Sequence, residues 1–364
     1  MNAIAPPTVA RRPHAGPAPR TQEQLRTEIA RLRVDRKAVI LAHYYQEGAI
    51  QDVADFVGDS LQLAQAAAKT DADVIAFAGV HFMAETAKIL NPTKKVVVPD
   101  LDAGCSLDES APAEAFAKWV AAHPGHAVIS YINCSAAVKA LSDVICTSSN
   151  AEKVVRSIPA TTPILFAPDE HLGRYLIRTT GREMTLWPGR CMVHDAFTVV
   201  GLQALMDQHP GAIVIAHPEC PADVLAMADF VGSTSKLISR VESEPGATFI
   251  VATEAGLLHE IRRRVPAAHV IPLPPSRSNV LGRETLATIP RAGPKASLAA
   301  TGGEVLPVQP EHGCACAVCP HMRRNTLEKL WLCLRDLRPE VTVPEDVRVK
   351  ALRSVNRMLE ISAS

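Results

Sequence analysis

The stretch EHGCACAVCPHM, residues 311–322, places Cys314, Cys316 and Cys319 within six positions. Cysteines this close suit zinc binding, a disulfide, or ligation of an iron–sulfur cluster. A zinc ribbon needs two paired knuckles, and the sequence has one such cluster only. The nine cysteines occur without an export signal, which predicts a reducing compartment. A Cys314–Cys319 or Cys316–Cys319 disulfide would not be the resting state there.

Two further cysteines follow predicted strands: Cys105 in DAGCSL and Cys191 in PGRCMVH. With one of Cys314, Cys316 or Cys319 they would supply three thiolates from distant parts of the chain. Three thiolates suit a [4Fe–4S] cluster that leaves one iron without a protein ligand. Such an iron is a Lewis acid that can bind a substrate oxygen, nitrogen or carboxylate. We therefore favour an iron–sulfur site, with zinc and redox sites as the alternatives.

Polar side chains recur at one constant spacing in three parts of the chain. Histidine and glutamate among them can act as general acids or bases. Tyrosine, with an ordinary pKa of about 10, is better suited to act as an acid or a hydrogen-bond donor. The candidates at two equivalent positions of the pattern are His43, Tyr131 and His217, and Tyr45, Asn133 and Glu219.

Hydroxyl-bearing residues occupy a third equivalent position, at the start of predicted helices. Backbone N–H groups and the helix dipole attract carboxylate or phosphate there. Ser and Thr also cap helices routinely, and the two roles are compatible. We interpret these residues as binding small anions; they are Ser60, Ser148 and Thr234, with Thr147 and Ser233 beside them.

Three copies of one pattern must position these residues. Each copy opens with an aliphatic strand, then has a short helix, a second strand (ADFV, SDVI or ADFV) and a longer helix. The buried strands DVIAFAG, PILFAPD and TFIVATE follow, each leading to a fourth strand. Alternating strands and helices predict parallel sheets covered on both faces, with ligands at the carboxyl ends of the strands. We therefore predict three pseudo-threefold-related three-layer α/β/α domains around a central iron–sulfur site.

The predicted limits follow from this repeat. Residues 1–20 form a disordered Ala- and Pro-rich tail, residues 21–36 an N-terminal helix, and residues 37–122 and 123–209 the first two α/β repeats. Residues 210–364 form the third repeat, with a cysteine-bearing insertion and amphipathic C-terminal helices that close it. Thr21 and Gln24 match a capping box at the start of the N-terminal helix. The remaining cysteines are interpreted as small buried residues; they are Cys134, Cys146, Cys220 and Cys333.

The composition excludes some classes of partner. Lys plus Arg and Asp plus Glu are balanced at 38 each, which argues against nucleic acid or a membrane surface as the main partner. No apolar run approaches the length of a transmembrane helix. We expect a cytoplasmic protein, and the sequence carries no signal for an oligomeric state.

Several motifs in order resemble the quinolinate synthase A family of bacterial de novo NAD biosynthesis. They are ILAHYYQ, DFVGDSLQLA, YINCSAAVKA, CTSSNA, GRCMVH, AHPECP, VGSTS and CPHMRRNTLEKL, and they extend from about residue 37 to the C-terminal helices. The resemblance implies three α/β domains around one [4Fe–4S] cluster. It also implies condensation of iminoaspartate, supplied by L-aspartate oxidase, with dihydroxyacetone phosphate, giving quinolinate, phosphate and two waters.

The resemblance also implies the site residues. The cluster ligands would be Cys105, Cys191 and Cys319, and we assign proton transfer to Tyr45, His217 and Glu219. The substrate-binding residues would be His43, Ser60, Tyr131, Asn133, Ser148, Ser233 and Thr234. Many family members carry C-x-x-C-x-x-C near the third ligand, whereas this chain has C-x-C-x-x-C. The rival hypotheses are an isoprenoid-diphosphate reductase of similar architecture and a metal-containing sensor that binds a partner.

Overall fold

The strands form three separate four-stranded sheets. The computed structural model describes residues 20–276 and 317–363, and within these residues every paired strand of the sheets is parallel. The first sheet holds β1 (Ala38–His43), β2 (Phe56–Gly58), β3 (Val74–Ala78) and β4 (Lys95–Val97). The second holds β5 (Ala127–Tyr131), β6 (Val144–Cys146), β7 (Ile164–Ala167) and β8 (Thr185–Leu186). The third holds β9 (Ile213–Ala216), β10 (Phe230–Val231), β11 (Thr248–Ala252) and β12 (His269–Pro272).

The three sheets share one strand order: β2-β1-β3-β4, β6-β5-β7-β8 and β10-β9-β11-β12. We call the segments carrying them the first, second and third units. The central strands are aliphatic and buried along most of their length, as parallel sheets with two covered faces require. The predicted three-layer α/β/α fold is confirmed, whereas the exact domain limits remain predictions.

Helices connect and cover the strands. The helices before the third sheet are Gln22–Asp35, Gly48–Gln51, Ser60–Lys69, His81–Leu90, Ser106–Ser110, Ala113–Ala121, Ala136–Ala140, Ala151–Ser157, Glu170–Thr180 and Val199–Gln208, with a 3₁₀ turn at His194–Ala196. Later helices are Ala222–Ala226, Thr234–Ser243, Leu257–Arg264, Leu327–Asp336 and Glu345–Ala363, with a 3₁₀ turn at Met322–Arg324. The capping box at the first helix is confirmed by the reciprocal hydrogen bonds of Thr21 and Gln24.

One aspartate in each unit links its first two strands. The Oδ2 atom of Asp55 accepts the Ile40 N–H at 2.9 Å, and Asp143 and Asp229 make the same bond to the N–H groups of Val128 and Val214 at 2.8 and 2.7 Å. Each aspartate is the second residue of its repeated motif, ADFV, SDVI or ADFV. The repeat therefore includes a side-chain contact that fixes the start of each sheet.

We expect Asp143→Ala to lower the free energy of unfolding by about 1 kcal/mol, because one hydrogen bond to a strand N–H is lost. Asp143→Asn should lower it less, since the amide oxygen still accepts. Urea unfolding followed by circular dichroism measures both values. The exposed Asp71→Ala is the control, and equal stabilities for Asp143→Ala and the control would contradict this role.

The two C-terminal helices do not close the third unit, so that expectation is wrong. Leu327–Asp336 packs against Gln22–Asp35 and β3, with Trp331 and Leu334 in the same core as Leu25 and Ile29. Glu345–Ala363 packs against Ala136–Ala140, β6 and His81–Leu90, between the first and second units. An amphipathic stripe predicts that a helix is covered on one face, but it does not identify the covering sheet.

Parts of the sequence analysis fall outside the described residues. Residues 1–19 of the predicted tail and residues 277–316 of the insertion lie there, and the latter include Cys314 and Cys316. Of the other cysteines, Cys134, Cys146, Cys220 and Cys333 are buried, as predicted for core thiols. A search of the described residues found no helix long and apolar enough to cross a membrane.

A candidate active site lined by all three units

A cavity with about 630 Å³ of empty space lies where residues of the three units meet. The structure brings twelve of the thirteen residues predicted for the site to its wall: His43, Tyr45, Ser60, Cys105, Tyr131, Asn133, Ser148, Cys191, His217, Glu219, Thr234 and Cys319. Ser233 is the exception among the predicted residues. It is buried, and its hydroxyl lies 3.2 Å from the Ser235 hydroxyl. The roles of these residues remain predictions.

The polar residues reach the cavity because parallel strands end at the same edge of a sheet. His43 and Tyr131 are the last residues of β1 and β5, and His217 follows the last residue of β9. Tyr45 lies two residues after His43, and Glu219 lies two residues after His217. The repeat in the sequence thus becomes a set of side chains facing one cavity.

Two helix starts also face the cavity. Ser60 and Thr234 are the first residues of ten-residue helices, and both line the wall. The N-cap of the first helix is Asp59, whose side chain accepts the Gln62 N–H, while Ser233 makes no side-chain capping bond. Capping therefore does not explain the hydroxyls of Ser60 and Thr234, which are available to a ligand at the positive end of each helix dipole.

Asp59 also lines the cavity, connects the three units and was not predicted. Its Oδ2 atom accepts hydrogen bonds from the hydroxyls of Ser149 at 2.6 Å and Ser235 at 2.8 Å. Ser149 belongs to the second unit and Ser235 to the third, so one carboxylate ties them to the first. The sequence signal was its place in the repeat, where Asp59 is equivalent to Thr147 and Ser233.

Three half-buried thiols from different parts of the chain line the cavity: Cys105, Cys191 and Cys319. Burial raises the pKa of Cys319 to about 11 and raises that of Cys105 further. Burial, Glu219 and the other two thiols raise the pKa of Cys191 well above its ordinary value. These cysteines are therefore protonated thiols unless a metal displaces the protons.

The three thiols fit a [4Fe–4S] cluster with one open iron. No fourth cysteine of the described residues lines the cavity. Asn133 lines the same cavity, and its buried amide oxygen has no hydrogen-bond partner within the described residues. The donor set is thus three sulfurs with room for a further bound molecule.

His194 is a site residue that the sequence analysis missed. Its Nδ1 atom lies 3.2 Å from Cys191 Sγ and 3.0 Å from Glu219 Oε2. The ligand atoms of these three residues all lie within 4.8 Å of one another, so they could also hold a metal ion. The signal was present in the sequence, because Cys191 and His194 form a C-x-x-H pair in GRCMVH.

The Glu219 carboxylate accepts hydrogen bonds from Tyr131 and His194. The Tyr131 hydroxyl donates to its Oε1 atom at 2.5 Å, and His217 Nδ1 lies 3.8 Å from the same oxygen. Burial would raise the pKa of the Glu219 carboxyl, but His194 and His217 outweigh it and hold the pKa below its ordinary value. Glu219 is therefore a buried carboxylate. Burial and Glu219 raise the pKa of Tyr131 well above 10, so this tyrosine keeps its proton.

The two predicted histidines are neutral. Burial lowers the pKa of His43 to about 4, against the attraction of Asp59 and Glu219, and lowers the pKa of His217 to about 3. His43 Nδ1 accepts the Tyr45 N–H at 3.1 Å, and His217 Nε2 lies 3.1 Å from the Ser148 hydroxyl. Burial also raises the pKa of Tyr45 well above 10. The cavity thus combines the Glu219 carboxylate with neutral histidines and tyrosines.

We expect the free energy of unfolding to fall as the pH is lowered from about 6.5 towards about 4, partly because of His43. In that range the unfolded chain binds a proton at this histidine and the folded chain does not, so stability rises with pH. His43→Asn should reduce the slope by up to about 1.4 kcal/mol per pH unit. Urea unfolding at several pH values measures this slope. The control is His269→Asn, because His269 is exposed. An unchanged slope in His43→Asn would contradict the prediction.

Glu254 is a second acidic residue in the wall that was not predicted. It accepts the N–H of Cys319 at 3.1 Å and that of Gly256 at 2.6 Å, and it forms an ion pair with Arg323 at 3.3 Å. Burial raises the pKa of Glu254 to about 7, which Arg323 opposes. Glu254 therefore fastens the segment of the third cysteine to the end of β11. The signal was the acidic residue that ends TFIVATE.

Comparisons with known proteins agree with this site. Residues 27–360 match the family model described as "NadA: Quinolinate synthetase A protein". The chain is 52% identical over 335 residues to a curated quinolinate synthase of Synechococcus sp., covering 92% of this chain and 94% of that protein. It is 52% identical over 331 residues to the one of Trichormus variabilis, with 91% of each covered. It is 50% identical over 345 residues to the one of Prochlorococcus marinus, with 95% and 93% covered.

Proposed function

The chain belongs to the quinolinate synthase A family, an enzyme family of NAD biosynthesis, and we propose that it condenses iminoaspartate with dihydroxyacetone phosphate. The products are quinolinate, phosphate and two waters. The observation that carries this proposal is the convergence of three thiols and the buried Glu219 carboxylate on a single cavity. We further propose that L-aspartate oxidase supplies the iminoaspartate and that the reaction takes place in the cytoplasm.

In this proposal Cys105, Cys191 and Cys319 hold a [4Fe–4S] cluster. The bound cluster supplies a Lewis-acid iron that favours loss of hydroxyl groups as water. The cavity wall supports this arrangement, because it leaves space beside the thiols. Glu254 holds the backbone of Cys319 in place through its N–H group.

Both substrates are anions, and the helix starts suit them. The backbone N–H groups at Ser60 and Thr234, with the hydroxyls of these residues, would bind carboxylate or phosphate. The Ser148 hydroxyl, which lies 3.1 Å from His217 Nε2, extends this polar surface. The Asn133 amide, whose oxygen has no partner within the described residues, would bind an N–H or O–H group of the substrate.

Proton transfer is assigned to Glu219, His217 and Tyr45. Glu219 is a carboxylate in a water-poor site, so it is suited to accept a proton. His217 is neutral and can exchange a proton with a substrate bound beside Ser148. Tyr45 lines the same cavity, and its phenol oxygen would exchange a proton with the substrate. These side chains would serve phosphate elimination, cyclisation and the two dehydrations.

Anaerobic reconstitution with iron and sulfide, followed by an assay for quinolinate, tests the proposal. Iminoaspartate is generated in the assay by L-aspartate oxidase, and dihydroxyacetone phosphate is added. We expect quinolinate to form only when both substrates and the cluster are present. If the enzyme carries the cluster but forms no quinolinate, the result would favour one of the rival hypotheses, an isoprenoid-diphosphate reductase or a metal-containing sensor.

A further inference from the structure

A chain of four hydrogen bonds connects residues of all three units at the cavity. Tyr45 Oη lies 2.8 Å from Thr253 Oγ1, and Thr253 Oγ1 lies 3.0 Å from His194 Nε2. His194 Nδ1 lies 3.0 Å from Glu219 Oε2, and the Tyr131 hydroxyl donates to Glu219 Oε1 at 2.5 Å. Thr253 is 1% exposed and is not a wall residue of the cavity. It is the link that joins Tyr45 to the other three residues.

The carboxylate fixes the direction of every bond in this chain. Glu219 can only accept, so His194 must place its ring proton on Nδ1. In a neutral His194 ring the Nε2 atom is then an acceptor, and the Thr253 hydroxyl must donate to it. Thr253 has no second proton, so its oxygen accepts from the Tyr45 hydroxyl. The opposite tautomer would aim the Nδ1 lone pair at a carboxylate oxygen 3.0 Å away.

The direction of these bonds determines what Tyr45 and Tyr131 can offer to a ligand. Each tyrosine has one hydroxyl proton, and each donates it to another protein group, Thr253 or Glu219. Only lone pairs of the two phenol oxygens remain for the cavity. A bound molecule must therefore place N–H or O–H groups beside both tyrosines, and its carboxylate and phosphate groups elsewhere.

We propose that Thr253 is a positioning residue that sets the hydrogen-bond direction of Tyr45 and the tautomer of His194. By holding Tyr45 as an acceptor, it selects ligands with an imine, amine or hydroxyl donor at that point. This inference rests on the proposed function for its substrates, and it deepens that function by assigning how they are oriented. The anionic groups then lie towards the helix starts at Ser60 and Thr234.

A merely structural role for Thr253 would have different consequences. The Tyr45 ring is also held by an edge-to-face contact with the His43 ring, whose centroid is 4.6 Å away. Valine at position 253 keeps the branched shape and removes only the hydroxyl. Thr253→Val therefore frees the Tyr45 hydroxyl to donate into the cavity and leaves His194 Nε2 unpaired, while the ring packing is retained.

Kinetics of the reconstituted enzyme give the first test. We expect Thr253→Val to lower kcat about tenfold, the value of one net hydrogen bond, while Thr253→Ser retains kcat within about twofold. Thr86→Val is the matched control, because Thr86 is buried and its hydroxyl bonds only within its own helix. Wild-type activity in Thr253→Val would overturn the inference. If the wild-type enzyme forms no quinolinate, the proposed function fails and the second test decides the inference alone.

The second test does not depend on activity. The full-length protein is labelled with ¹⁵N-histidine, and His194→Asn assigns the signals of His194. We expect a protonated Nδ1 and an unprotonated, hydrogen-bonded Nε2 in the wild-type protein and in Thr253→Ser. In Thr253→Val the Nε2 signal should shift towards the value of a free unprotonated nitrogen. A protonated Nε2 in the wild-type protein, or an unchanged shift in Thr253→Val, would overturn the inference.

Discussion

Serine in place of Cys105, Cys191 or Cys319 is expected to abolish cluster binding in each single variant. Quinolinate formation should fall by about a hundredfold or more, because a Lewis-acid metal contributes several kcal/mol to transition-state stabilisation. Two bound sulfurs cannot replace three, since the cavity wall offers no further cysteine within the described residues. Iron and sulfide content after anaerobic reconstitution, the absorbance of the cluster and quinolinate formation measure the effect.

Other cysteines serve as controls for this loss. Cys333→Ala should leave cluster content and activity unchanged, since Cys333 is buried between Leu327–Asp336 and Gln22–Asp35. Cys314→Ser and Cys316→Ser should also retain the cluster if Cys319 is the third ligand. Loss of the cluster in either of these two, with Cys319→Ser still loaded, would overturn the ligand assignment.

Glu219→Gln is expected to lower kcat by about a hundredfold to a thousandfold, the range attributed to general acid–base groups. Glutamine has nearly the same size, but it has no charge and places an amide donor against Tyr131 and His194, which both donate to this position. Cluster content should remain near that of the wild-type protein, because Glu219 is not one of the three sulfur ligands. Steady-state kinetics on samples of equal iron content measure the effect.

The matched control is Glu260→Gln, another fully buried glutamate. Glu260 is bound by Arg263 and Arg264, away from the cavity wall. Its substitution should lower stability and leave kcat per loaded enzyme unchanged. Near-wild-type kcat in Glu219→Gln would remove Glu219 from the proton-transfer steps.

The repeat in the sequence was sufficient to predict the fold and most of the cavity wall. Parallel strands place their carboxyl ends at one edge of each sheet, so His43 and His217 had to lie at equivalent edges of two sheets. The same argument predicted that Tyr45 and Glu219 lie at the carboxyl ends of the strands. The cysteines followed because Cys105 and Cys191 each come after the last strand of a unit.

Contacts between units could not be predicted from the repeat. Thr253 directly follows the buried strand β11, and nothing in the sequence around it marks a special role. Its role depends on contacts with Tyr45 and His194, which lie 208 and 59 positions away. The packing of Glu345–Ala363 between the first and second units is also a contact over long sequence distance. Ser233 is absent from the cavity wall, and its hydroxyl lies 3.2 Å from the Ser235 hydroxyl.

Iron anomalous diffraction from anaerobically grown crystals of the reconstituted protein tests the central claim most directly. The account predicts one four-iron cluster in the cavity, bound by the Sγ atoms of Cys105, Cys191 and Cys319, with the fourth iron free of protein ligands. Iron held by Cys191, His194 and Glu219 without the other two cysteines would contradict it. A cluster with a fourth protein ligand would contradict it as well.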